Sequence, residues 1–105
     1  MHSWEIVCID VDSDSEYDDC RAITELGYLA PTLNKKSSDE IGAQIHQGHR
    51  AFHITIDGTR HQLKSDRQQD VNFYVRTLDK NSVDDPLLSI EACSSYQLED
   101  KMSEL

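Results

Sequence analysis

No apolar run in this 105-residue chain approaches the ~18 residues that a membrane-spanning helix requires, so no such helix is expected. Glycine and proline are scarce, at four and two, which excludes collagen-like and Pro/Gly-rich low-complexity chains. Positive charge is also short: ten Lys and Arg face twenty Asp and Glu, for a formal charge of −10. A surface of that sign repels phosphate backbones and anionic headgroups, so neither nucleic acid nor a membrane surface is an expected partner. Met1-His2-Ser3-Trp4-Glu5 lacks the basic stretch and apolar core of a secretory signal, and a cytoplasmic location is expected. The three cysteines include no Cys-x-x-Cys pair, so neither a zinc knuckle nor a dithiol redox centre is indicated. Reduced thiols are expected, with Cys8 acting as a small buried hydrophobe inside Ile6-Val7-Cys8-Ile9. Gly-x-Ser-x-Gly, a Gly-rich phosphate loop and His-Glu-x-x-His are all missing. No enzymatic activity and no cofactor are therefore expected.

What is present reads as one domain over residues 1–93, followed by a polar, disordered tail over 94–105. Trp4–Val11 carries apolar residues in both alternating sets, the pattern of a strand covered on two faces. Trp4, Ile6 and Cys8 would share one face, and Val7, Ile9 and Val11 the other. Asp10–Asp19 holds six acidic residues and no basic one, a solvated loop. Asp18–Gly27 predicts a short helix capped by Asp18, and Tyr28–Lys36 a connection. Ser37-Ser38-Asp39-Glu40 is a capping box, opening a helix from about Ser38 to Gln47 that Gly48 terminates.

Asp57-Gly58 between two alternating runs predicts a hairpin with a two-residue type I′ turn. That loop length fixes the register: Ile54 opposite His61, His53 opposite Gln62, and Thr55 opposite Arg60. Phe52, Ile54, Ile56, His61 and Leu63 should then share the dry face. Val71–Leu78 follows as a strand with Tyr74 and Arg76 on its outward side, and Pro86–Ile90 as a short extended or turn-like apolar segment. The fold class is α+β: a small, mainly antiparallel sheet with one main helix packed on a face.

In the second half of the chain, Ile45-His46-Gln47-Gly48, Phe52-His53-Ile54, Tyr74-Val75-Arg76-Thr77 and Asp85-Pro86-Leu87-Leu88-Ser89-Ile90 with Cys93 occur in order. With Ile23-Thr24-Glu25-Leu26-Gly27 before them, they resemble domain-of-unknown-function family 3892, small and mainly bacterial proteins. The likeness spans roughly residues 4 to 93. Pro86 stands where that pattern has Asn, and Ile90 where Leu is common. The resemblance implies one domain and brings no reaction with it.

Candidate site residues follow from register. Tyr74 and Arg76 share an outer face with His53 and Arg60, a composition suited to a protein contact surface. A non-catalytic protein-binding module is therefore the leading expectation. The alternative is a metal- or small-ligand-binding accessory protein using His46, His49 or His53. Gly48 falls between the first two and interrupts a single-face helical pair. Asp10, Asp12 and Asp14 imitate the start of an EF-hand loop, but Ser15 replaces the turn glycine and Arg21 the closing glutamate.

Overall fold

The computed structural model describes residues 3–68, 72–80 and 84–95. Its strands are β1 (Ser3–Val11), β2 (Ile23–Leu29), β3 (Leu33–Ser37), β4 (Ala51–Ile56), β5 (Thr59–Gln68) and β6 (Asn72–Thr77). One α-helix, α1 (Ser38–His46), lies between β3 and β4. The strands form one sheet in the order β3-β2-β1-β4-β5-β6. The class is α+β as expected, but the sheet is mixed. Its central pair runs parallel, Ser3 beside Ala51 through Glu5 beside His53, which corrects the expectation of a mainly antiparallel sheet. Parallel neighbours need a long crossover, and here it comprises β2, β3 and α1 together.

The expected register of the β4–β5 hairpin is observed: Ile54–His61, His53–Gln62, Thr55–Arg60 and Ile56–Thr59. Asp57 and Gly58 both take positive φ, 51° and 81°, as a type I′ turn requires. Nothing lies within 4 Å of a Cβ placed on Gly58, so only backbone strain opposes a side chain there. Gly58→Val should cost roughly 1–2 kcal/mol, read as a lowered denaturation midpoint; an unchanged midpoint would refute the turn assignment.

Helix α1 is capped as the sequence predicts, with Ser37 Oγ accepting from the Glu40 amide at 3.1 Å. It packs chiefly on β6 and β5 and also reaches β2. Ile41 is fully buried there. Gly42 weakens a helix by roughly 1 kcal/mol relative to alanine, and the packing explains its presence. A Cβ on Gly42 would run into Cβ of Phe73 and approach Ser65.

Three local expectations need correction. Asp18–Gly27 is not a helix: a single 3-10 turn, Cys20–Ala22, capped by Asp19, leads directly into β2. The β-branched Ile23 and Thr24 and the buried alternate pair Leu26 and Tyr28 fit a strand better. The connection expected over Tyr28–Lys36 contains β3, paired to β2 from Leu29–Leu33 to Glu25–Ser37. Finally, β1 does not keep one alternation. Ile6 pairs with Tyr28 but Cys8 with Gly27, so a bulge intervenes. Beyond it Ile9, paired with Leu26, joins the face of Ile6, and Cys8 turns to the opposite one.

That reversal places Cys8 against the end of the chain. Cys8 and Cys93 form a disulfide with Cα atoms 4.7 Å apart, correcting the expectation of three free thiols; Cys20 alone is free, and buried. Gly27 lies directly beneath the bond, and a Cβ there would sit 2.5 Å from Cys8 Sγ and 3.2 Å from Cys93 Sγ. Where β1 and β4 part beyond Glu5 and His53, the returning chain takes up the pairing: the Ile9 amide donates to the Glu91 carbonyl at 3.0 Å. Pro86–Ser89 forms a 3-10 turn, as does Cys93–Ser95. Ser94 and Ser95 of the expected tail are thus ordered, while residues 96–105 and Val71 lie outside the described residues.

Candidate functional site

Tyr74, Arg76, His53 and Arg60 do share one face, since Asp66 pairs with Tyr74, Lys64 with Arg76, His53 with Gln62 and Thr55 with Arg60. They do not form an exposed patch. Tyr74 is 6% exposed and His53 4%. For Tyr74 the cause is non-local, because the 3-10 turns Cys20–Ala22 and Pro86–Ser89 lie against β6. Arg76 is occupied in holding the strand end. Its Nε donates to Asp66 Oδ2 at 2.7 Å, and one terminal nitrogen bonds the carbonyls of Thr77, Leu78 and Lys80. Arg60 is exposed and makes no ion pair among the described residues.

His53 contacts Ser3, whose Oγ lies 2.7 Å from Nδ1. Burial disfavours its charged form, the Arg60 charge adds to that, and Glu5 opposes weakly, so its pKa falls below the ordinary 6.5. Between that lowered value and 6.5 the unfolded chain binds a proton that the folded chain refuses. Stability therefore drops as pH falls through this window and levels off below it. Denaturation midpoints followed from about pH 8 to pH 5 should show this slope, with His53→Gln removing part of it. Parallel profiles for the two proteins would exclude His53 as a source.

The candidate metal residues stay apart from one another in role. His46 is exposed and its ring lies 5.0 Å from that of Phe73, while His49 follows Gly48 outside the helix. Among the described residues no three His, Cys, Asp or Glu side chains gather as a metal site would require.

A group not singled out by the sequence is Asp85. It is 2% exposed, and its carboxylate accepts from the Thr77 amide at 3.2 Å and the Leu87 amide at 2.9 Å. The Cys20 thiol lies beside it; burial first, and then the Asp85 charge, push that thiol's pKa far up. Asp39 acts likewise on the same strand, its Oδ1 accepting from the Phe73 amide at 2.8 Å. Leu78 donates inward to Gln62 of β5, so alternation sends the amides of Phe73 and Thr77 to the outer side of β6. Two carboxylates thus take the first and last of the outward amides of Phe73, Val75 and Thr77 on that edge. Among the described residues the far side of β3 has no strand beside it, since β3 is last in the strand order and pairs only with β2. An Asp before Pro-Leu-Leu was the available signal for Asp85 as a cap, but not for its second partner.

No family model, curated protein or solved structure matches the chain.

Proposed function

We propose that this chain is a non-catalytic protein-interaction module that binds an extended segment of another protein along the free side of β3. The observation that carries the reading is the unequal treatment of the two sheet edges. On β6 the outward amides of Phe73 and Thr77 are taken by Asp39 and Asp85, whereas among the described residues Leu33–Ser37 has a strand on one side only. An unpaired strand edge is a template for strand addition. Leu29, 37% exposed, sits opposite the half-buried Leu33 and offers an apolar contact beside it. Tyr74 and His53 lack the exposure a contact surface needs, so the surface belongs at β3.

The test is hydrogen exchange on the complex captured from lysate. Amides of Leu33–Ser37 should exchange more slowly in the complex, with β6 unchanged. Unaltered exchange in β3 with a bound partner would refute the reading. We place the module in the cytoplasm on the absence of a signal pattern, and the Cys8–Cys93 disulfide counts against that placement, because thiols stay reduced there. Rapid alkylation in intact cells decides: free thiols at Cys8 and Cys93 would support the cytoplasm, and a retained bond would refute it.

We propose membership of family 3892 on the order of the short motifs. Supporting it, those motifs touch in the fold: Asp85 caps Thr77 at the end of Tyr74-Val75-Arg76-Thr77, and Gly27 lies beneath Cys93.

A further inference from the structure

Where β6 leaves β5, a cleft of about 340 Å³ opens between Arg60–Gln62 and Thr77–Lys80, with Pro86 on its wall. On a chain of net charge −10 its lining is unusual. Five ion pairs among the described residues engage Arg21, Lys35, Lys36 and Arg76. Arg60 and Lys80 are not among them, and both line this cleft together with His61. Asp79 is the single acid in the lining. The second observation is independent of charge. Thr77, 2% exposed, also lines the cleft, and its buried hydroxyl has no hydrogen-bond partner among the described residues. A buried hydroxyl is nearly always bonded, so an orphan one marks a place where a partner belongs. Register puts Thr77 opposite Leu63, on the face that His61 shares, while Arg60 alternates to the other face and lines the cleft from that side.

We propose that this cleft binds a small oxyanion-bearing ligand, a carboxylate or a phosphate. Its oxygens accept from the guanidinium of Arg60, the ammonium of Lys80 and the hydroxyl of Thr77. The volume lies at the lower end of small-molecule sites, so the ligand is a compact metabolite rather than a nucleotide or a peptide. This site is independent of the β3 edge, and either can fail alone.

The experiment is a titration of the isotope-labelled full chain with inorganic phosphate and, separately, with citrate, at constant ionic strength. Saturable amide shifts confined to 60–62 and 77–80 are expected with one of the two, and the arm that saturates identifies the anion. Thr77→Val and Arg60→Gln should each weaken that binding at least about tenfold. Thr77→Val should leave the melting temperature unchanged or raised, because its hydroxyl bonds nothing among the described residues. If Thr77→Val does not fold, Arg60→Gln decides alone. Non-saturating shifts in both arms, or an affinity that Arg60→Gln leaves unchanged, overturn the proposal.

Discussion

Cys93→Ser is expected to remove about 4–5 kcal/mol of stability, the chain-entropy value for a cross-link closing a loop of this size. The two cysteines are 85 residues apart, so the bond restrains nearly the whole unfolded chain. The folded state loses as well. Cys8 is fully buried and Cys93 is 8% exposed, and the sulfurs fill the space above Gly27 that no side chain occupies. Domains of this size have roughly 5–15 kcal/mol in hand, which puts the variant near the edge of folding at physiological temperature. Urea denaturation of the oxidised protein, the reduced protein and Cys93→Ser measures the effect. The latter two should agree with each other and fall well below the first. A difference under about 1 kcal/mol would mean that the C-terminal segment is held by packing alone.

Asp85→Ala should be nearly as damaging, at about 3–5 kcal/mol, from two charge-assisted hydrogen bonds lost and two donors left unpaired. One donor, the Leu87 amide, belongs to the turn that Asp85 caps; the other, the Thr77 amide, is the last of β6. Without the carboxylate the turn separates from the strand. Asp85→Asn should recover part of the loss, because its one carbonyl oxygen can still accept from Leu87. Circular dichroism melts of the three proteins should rank them wild type, Asn, Ala. An Asn variant as stable as the wild type would show that the second acceptor is unused.

The features legible in the sequence were those decided by neighbours along the chain. The Ser37 cap, the α1 terminator at Gly48 and the Asp57-Gly58 turn each depend on a few adjacent residues. The β4–β5 register followed because a two-residue loop permits one pairing. The helix expected over Asp18–Gly27 failed for a related reason. Its caps were plausible, yet β2 gains its ladder from β1 and β3, partners that no local pattern displays. The candidate site divided in the same way. Alternation placed Tyr74, Arg76, His53 and Arg60 on one face correctly, but exposure depends on what arrives from elsewhere, and the 3-10 turns beside β6 bury Tyr74.

Composition and short-range pattern by themselves determined the charge of the molecule, its one well-marked helix and the sorting of side chains along the hairpin. Only the tertiary structure decided the parallel β1–β4 pairing, the bulge that turns Cys8 toward Cys93, and which sheet edge the carboxylates cap. The reason is physical. Hydrogen-bond ladders, cross-links and capping carboxylates join groups tens of residues apart, and their energies exist only after the chain has brought those groups together.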